Sequence, residues 1–163
     1  MGYVNQLLQA HNVRVVGSGD KWLVFGHGFG SDQTVWQFIL PHFSRNYKIL
    51  LFDLMGAGST NPQHFNFARY ATLHAYADDL LTILDEMEIE SCIYIGHSMS
   101  GMIGCIASIE RPSVFEKLVL ISTSPRYVTS DFFSSLTCPS IVSQINSVSE
   151  TFQNSSDLCV VVK

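Results

Sequence analysis

The chain has 163 residues, of which 47% are apolar, and its mean hydropathy is +0.21. These values favour a single folded domain with a hydrophobic core and exclude an intrinsically disordered chain. The formal net charge is -5 without a basic cluster, so nucleic acid, whose phosphate backbone is anionic, is not an expected partner.

Membrane insertion, secretion and metal binding find no support in the sequence either. No uninterrupted apolar stretch is long enough to span a bilayer, and the first residues lack a basic region followed by an apolar core. The cysteines are widely spaced and form no paired motif; they are Cys92, Cys105, Cys138 and Cys159. We therefore expect no metal, no cofactor and reduced, mostly buried thiols in a cytoplasmic protein, with the nucleus as a second location.

Strand patterns and helix patterns alternate along the chain. Candidate strands are short apolar or β-branched runs, at residues 13–16, 22–25, 48–53, 91–95 and 117–122. One helix pattern follows a cap at Asp32 and is ended or kinked by Pro41. A second helix follows a cap at Thr72, and a third covers about residues 99–109. The alternation predicts an α/β fold with right-handed crossovers and a mostly parallel sheet.

The character of the sequence changes after Tyr127. Residues 128–163 are rich in Ser, Thr and Asn and carry few charges. The spacing of Ile141, Ile145 and Val148 indicates one weak helix, and residues 158–162 indicate one strand, neither with an evident partner. We therefore divide the chain into a partial α/β core, residues 1–127, and a divergent, poorly structured tail, residues 128–163.

A serine stands between the predicted strand at 91–95 and the helix that follows. Residues 96–100 read Gly-His-Ser-Met-Ser, with a small residue two positions before and two positions after Ser98. A nucleophile elbow needs such residues because its sharp turn brings their side chains close together. The usual pattern ends in Gly, so Ser100 makes this a near match. The alternative is that Ser98 is only a small residue in a tight turn.

A nucleophilic serine also needs donors for the oxyanion, and two backbone N–H groups are suitable. One belongs to Met99, directly after the serine. The other comes from the glycine-rich loop of residues 26–30, where we assign it to Phe29. Read alone, such a loop is an ordinary turn, and Phe29 with its aromatic neighbours is as well explained by the core as by a pocket.

The base that would activate Ser98 is missing from this pattern. Proteins with such an elbow supply Ser, then Asp or Glu, then His. None of the histidines follows Ser98; they are His11, His27, His42, His64, His74 and His97. We interpret the later acids as solvated tail residues, namely Asp131, Glu150 and Asp157. Asp53 could be read as catalytic, but stabilising the loop after its strand is the better interpretation. The residues thus predict an elbow and an oxyanion hole without a triad Asp and His.

These motifs resemble the plant alpha/beta-hydrolase receptors for strigolactones and karrikins, and among them the karrikin-type branch. The matching stretches cover about residues 11–127; they are 11–19, 26–36, 51–53, 55–62, 79–81, 96–104, 107–112 and 124–127. An elbow that ends in Ser is this family's own variant, which accounts for Ser100. The resemblance implies Ser98 as the catalytic and ligand-engaging serine, and Phe29 and Met99 as oxyanion donors.

The resemblance further implies a largely apolar pocket, beside Phe29 and His97, for a small butenolide-type ligand. Family members are slow hydrolases and hormone receptors that recruit an F-box protein and target repressors through a lid. After the segment that matches 124–127, the family continues into lid helices and two strands that carry the catalytic Asp and His. Residues 128–163 match none of these.

We therefore expect an α/β fold of the alpha/beta-hydrolase type, truncated after residue 127, which lacks the lid helices and the last strands. The first hypothesis is a serine hydrolase by family, with an incomplete triad and little or no ester hydrolysis. The second is a non-catalytic fragment that binds a ligand or a partner. The third is a non-functional splice or annotation variant.

Overall fold

The computed structural model of the chain describes residues 2–123 and 159–161. Within these residues no helix is both long and apolar enough to cross a membrane. Six strands form one sheet; they are β1 (Arg14–Val16), β2 (Lys21–Gly26), β3 (Tyr47–Leu51), β4 (Cys92–His97), β5 (Phe115–Ile121) and β6 (Cys159–Val161). The helices are α1 (Gly2–Ala10), α2 (Leu40–Phe43), α3 (Leu73–Glu86) and α4 (Met99–Glu110), with 3-10 turns at Gln33–Trp36, Pro62–His64 and Arg69–Ala71.

The strands lie in the order β1-β3-β2-β4-β5-β6. The four central strands are parallel to their neighbours, whereas β1 and β6 pair antiparallel with β3 and β5. The predicted α/β fold with a mostly parallel sheet is therefore confirmed. The strand predicted at 158–162 is present as β6, and its partner, which the sequence did not reveal, is β5. The weak helix predicted around Ile145 lies outside the described residues.

The single helix predicted after Asp32 is wrong, because the segment forms a 3-10 turn and then α2. Asp32 does cap the 3-10 turn, since its carboxylate accepts a hydrogen bond from the Thr34 N–H at 2.8 Å. Pro41 lies in the first turn of α2 and does not end a helix. A proline is tolerated there because first-turn N–H groups have no helical acceptor.

Apolar spacing was a poor guide in this segment because its apolar side chains do not share one buried face. Trp36 is buried, but Val35 is 47% exposed and Phe43 is 38% exposed. The Thr72 prediction also needs correction. Thr72 occupies the N-cap position of α3, yet its side chain makes no capping hydrogen bond.

Helix α1 has no counterpart among the sequence predictions. A helix of nine residues is marginal on its own and depends on tertiary packing. Leu7 and Leu8 supply that packing, because both lie against the main core. The contacts that stabilise this helix therefore form only in the folded protein, so the local sequence showed no sign of it.

The core has two layers, one on each face of the sheet. Alternate residues of one strand point to opposite faces, so Val24 joins the layer under α3 and α4 while Leu23 and Phe25 join the other. Strands β2, β3 and β4 are thus covered on both sides, as their continuous apolar runs predict. Gly26 of β2 is the register partner of Gly96 of β4, so the loops after these two strands meet at one edge of the sheet.

Cys92, in the main core, leads to a prediction about alkaline pH. Burial raises the pKa of its thiol from 9.0 to about 12. From pH 9 upward the unfolded chain loses a proton that the folded chain retains, so we expect the free energy of unfolding to fall. One such group contributes at most about 1.4 kcal/mol per pH unit. Urea unfolding at pH 7, 9 and 10 measures this fall.

The control for this prediction is Cys92→Ala, which removes the thiol. Between pH 9 and 10 its free energy of unfolding should decline less steeply than that of the wild type, whatever its absolute value. Equal slopes for the two proteins would show that the Cys92 thiol is not the group responsible.

Candidate active site

Ser98 lies where β4 ends and α4 begins, in a strained backbone conformation. Its φ is 54° and its ψ is -121°, a combination that side-chain-bearing residues rarely adopt. Hydrogen bonds hold this turn in place. The Ser98 N–H donates to the Ile121 carbonyl at 2.8 Å, and the Ser98 carbonyl accepts from the Gly101 N–H at 3.0 Å. This is the strand–turn–helix context that a nucleophile elbow requires.

The position two before Ser98 has no room for a side chain. A Cβ added at Gly96 would lie 2.6 Å from both the backbone N and the Cα of Gly101. Those are backbone atoms of α4, which cannot rotate away as a side chain could. The close approach that the elbow pattern predicts at this position is thus present in the structure.

Ser100, the residue that departs from the usual pattern, has a specific contact. Its side chain is fully buried, and its hydroxyl donates a hydrogen bond to the His27 carbonyl. The Ser100 carbonyl in turn accepts from the Tyr94 hydroxyl at 3.0 Å. The serine therefore ties the elbow to the loop after β2, which a glycine could not do.

The glycine-rich loop of residues 26–30 lies directly against the elbow. A Cβ added at Gly28 would lie 2.6 Å from Nδ1 of His97 and 3.2 Å from the Ser98 Cβ. The absence of a side chain at Gly28 is what allows this contact. The next residue, Phe29, has a side chain that is 83% exposed. The loop and the serine are thus together, while the oxyanion roles of the Phe29 and Met99 N–H groups stay predictions.

His27 is fully buried, and both of its ring nitrogens are engaged. Nδ1 lies 2.9 Å from the Gly28 carbonyl oxygen, and Nε2 lies 2.9 Å from the Leu54 backbone nitrogen. A carbonyl can only accept and an amide can only donate, so the ring is neutral with its proton on Nδ1. His27 therefore joins two loops and is not available as a base for Ser98.

Asp53 is a structural organiser of the neighbouring loop. It is 1% exposed, and its Oδ1 accepts from the Gln33 N–H at 2.9 Å. Its Oδ2 accepts from Nδ2 of Asn12 at 2.9 Å and from the Ser59 N–H at 3.0 Å. These contacts agree with the interpretation of Asp53 as a loop-stabilising residue rather than a catalytic acid.

A cavity of about 530 Å³ opens beside the loop and the elbow. Its volume lies in the range of small-molecule sites, which are usually apolar with a few polar groups. Phe29 and Met99 both line it, together with side chains that include Leu54, Met55, Phe65 and Tyr76. Among the described residues, His97 and Ser98 are adjacent to this lining and not part of it. The placement of His97 beside a ligand stays a prediction.

Residues 21–145 match the sequence profile of the family described as alpha/beta hydrolase fold. The chain belongs to the alpha/beta-hydrolase-fold family. Among solved structures it resembles a hydrolase from Oleispira antarctica, with a TM-score of 0.73 and 28% identity over 91% of this chain and 55% of that one. A hydrolase from Pseudomonas aeruginosa gives a TM-score of 0.63 at 23% identity, over 89% of this chain and 49% of that one, and supports the fold alone.

Relatives of this chain include plant proteins of two kinds. It is 60% identical over 122 residues to the strigolactone esterase of Pisum sativum, covering 75% of this chain and 46% of the relative. It is 55% identical over 128 residues to a karrikin insensitive 2 receptor of Petunia hybrida, covering 78% of this chain and 46% of the relative. The resemblance predicted from the motifs is thus confirmed, whereas the karrikin-type branch stays a prediction. The chain spans about half the length of the curated relatives it matches.

The sequence predictions missed several residues that line the cavity. Neither Tyr76 nor Phe65 was predicted as a cavity residue. No local signal could have identified them, because the lining comes from segments far apart in the chain that only the fold brings together. Within residues 2–123 and 159–161, no group of three or more His, Cys, Asp or Glu side chains is arranged to hold a metal ion.

Proposed function

We propose that this chain carries the nucleophile and ligand cavity of a butenolide receptor-hydrolase and, on its own, binds the ligand with little or no ester hydrolysis. The observation that supports the first part is the strained turn at Ser98, packed against the loop of residues 26–30 beside a cavity with both polar and apolar lining residues. The names of the relatives, strigolactone esterase and karrikin insensitive 2 receptor, support the ligand class.

The chemistry of Ser98 supports the second part of the proposal. A serine hydroxyl is a weak nucleophile at neutral pH and needs a positioned base, which typically contributes 10²–10⁴-fold to the rate. No histidine follows Ser98 in these 163 residues. Among the earlier histidines, His27 has both ring nitrogens in contact with backbone groups of two loops. His11 is also buried, with Nδ1 2.9 Å from the Asp53 carbonyl oxygen.

Binding of a small ligand does not need the triad. The cavity is lined by aromatic and apolar side chains such as Phe65, Tyr76 and Met99, which suit a small apolar ring. The F-box protein and repressor partners that the resemblance implies have no docking residues that we can assign in the described part of the chain. We therefore propose ligand binding alone, and a non-functional splice or annotation variant is the competing hypothesis.

The test measures ester turnover and ligand binding on the same purified chain. With p-nitrophenyl acetate and a fluorogenic butenolide ester, we expect the wild type to exceed Ser98→Ala by no more than about twofold, because the base contribution is absent. A synthetic butenolide, titrated against intrinsic fluorescence, should nevertheless bind. Turnover far above that of Ser98→Ala would refute the hydrolysis part of the proposal, and absence of binding would refute the ligand part.

A matched pair of phenylalanine variants locates the binding. Phe65→Ala removes a ring from the cavity wall and should weaken butenolide binding. Phe38→Ala removes a ring that is 80% exposed and is not among the described residues that line the cavity, so affinity should be unchanged. Equal effects of the two substitutions would place the ligand elsewhere.

A further inference from the structure

Tyr70 contacts two aromatic residues that line the cavity, although it does not line the cavity itself. Phe65 and Tyr76 both line it, and the ring of Tyr70 lies between them. The centroid of the Tyr70 ring is 5.1 Å from that of Phe65, in a stacked arrangement with an interplanar angle of 21°. It is 4.9 Å from that of Tyr76, with the rings tilted at 49°. A shift of Tyr70 would therefore displace both walls.

A buried carboxylate holds Tyr70 in this place. Its hydroxyl donates to Oδ2 of Asp79 at 2.8 Å, and Asp79 is only 4% exposed. Nη2 of Arg69 binds the other carboxylate oxygen at 2.6 Å. Nε2 of His11 lies 3.5 Å from Oδ2 on a further side. A carboxylate is buried at little cost only when donors such as those of Tyr70 and Arg69 satisfy it, so the 3-10 turn Arg69–Ala71 is fastened to α3.

The protonation of Tyr70 suits this role. Burial, followed by the hydrogen bond to Asp79, raises its pKa from 10.0 to about 12. The phenol therefore keeps its proton at physiological pH and remains a hydrogen-bond donor to the carboxylate.

Phe65 is held from its other side as well. A Cβ added at Gly56 would lie 2.8 Å from Cδ2 of Phe65, so this ring lies directly on the glycine backbone. Gly56 also lines the cavity and has a φ of +87°. Phe65 thus contacts both a backbone segment and the Tyr70 ring. The centroid of the Phe67 ring lies 5.0 Å from that of Phe65 in a T-shaped arrangement, but Phe67 is 85% exposed and offers little restraint.

We propose that Tyr70, anchored by Asp79, is a positioning residue that sets the spacing between Phe65 and Tyr76 and so determines which ring-shaped ligands the cavity accepts. This rests on the proposed function, in which the cavity receives a butenolide. The competing interpretation is that the contact serves only to stabilise the 3-10 turn on α3.

Two conservative variants and a matched control separate these interpretations. Tyr70→Phe keeps the ring and removes the donor, and Asp79→Asn removes the charge of the anchor. Tyr47→Phe is the control, because Tyr47 is also half-buried and contacts an aromatic ring, that of Phe43, but lies at the opposite, amino-terminal end of β3. Tyr70→Phe is the decisive variant, since Asp79→Asn can also disturb folding.

The first measurement is ligand affinity, with a compact synthetic butenolide and an enlarged analogue as probes. We expect Tyr70→Phe to bind the compact butenolide roughly 3- to 10-fold more weakly, with a smaller loss for the enlarged analogue. Tyr47→Phe should match the wild type for both probes. A lowered melting temperature with unchanged affinities and an unchanged ratio between the probes would overturn the proposal and leave a purely structural role.

The second measurement needs no ligand. Nuclear Overhauser effects between the ring of residue 70 and those of Phe65 and Tyr76 measure how close these rings lie. They should weaken in Tyr70→Phe. Unchanged contacts would overturn the proposal. If the wild type binds no butenolide, the proposed function fails, while these contacts still decide whether the Tyr70 hydroxyl positions the wall.

Discussion

Gly96→Ala is expected to lower the free energy of unfolding by about 3 kcal/mol, the upper end of typical overpacking effects. The added methyl group would lie 2.6 Å from the backbone N and Cα of Gly101 and 2.7 Å from the carbonyl carbon of Ser100. All three are backbone atoms at the start of α4, so relief requires a shift of the helix relative to β4. Such a shift would also move Ser98 away from the loop that contacts it.

Urea unfolding followed by far-ultraviolet circular dichroism measures this loss, and Gly30→Ala is its control. Gly30 has a φ of +72°, but a Cβ there would meet nothing within 4 Å. Its substitution should cost only the left-handed strain, about 1 kcal/mol. Gly96 itself is not in the left-handed region, so equal losses for the two variants would show that the contact with α4 adds no large cost at position 96.

Asp53→Ala is expected to destabilise the chain by roughly 3–5 kcal/mol, because one buried and two partly buried donors lose their acceptor together. The donors are the N–H groups of Gln33 and Ser59 and the amide of Asn12, which belong to three separate segments. One carboxylate therefore holds these segments together at the edge of the site. Asp53→Asn, which keeps one carbonyl oxygen as an acceptor, should lose less.

Thermal and urea unfolding measure this effect, with Asp78→Ala as the control. Asp78 is exposed on α3, and substitutions at such sites usually change stability by less than about 0.5 kcal/mol. A loss at Asp53 as small as that at Asp78 would contradict the organising role of Asp53.

The sheet could be predicted from the sequence because its signals are local. Residues 22–25 form a continuous apolar run, and such runs mark strands that are covered on both faces. The elbow was also visible, because a turn of this sharpness restricts residues two positions either side of Ser98. By contrast, the segment after Asp32 was predicted wrongly, because regular apolar spacing cannot show whether side chains meet a common core.

The candidate site could be predicted only where its residues are adjacent in sequence to these signals. Phe29 lies within the glycine-rich loop and Met99 directly follows the serine, and both line the cavity. Phe65 and Tyr76 carry no such marker. Asp79 carries no such marker either, yet it is buried on α3 and is bound by Arg69 and Tyr70.

The sequence by itself determined the family of this protein, the position of its serine and the strands that bear it, since each depends on residue types at short spacing. The tertiary structure alone decided the orientation of His27, the contact of Ser100 with the loop after β2, and the aromatic wall that Tyr70 holds. These features depend on hydrogen bonds and ring contacts between separate segments of the chain. Such contacts form only when the core has packed on both faces of the sheet. The candidate nucleophile can therefore be found from local sequence, whereas the shape of the cavity beside it is a property of the whole fold.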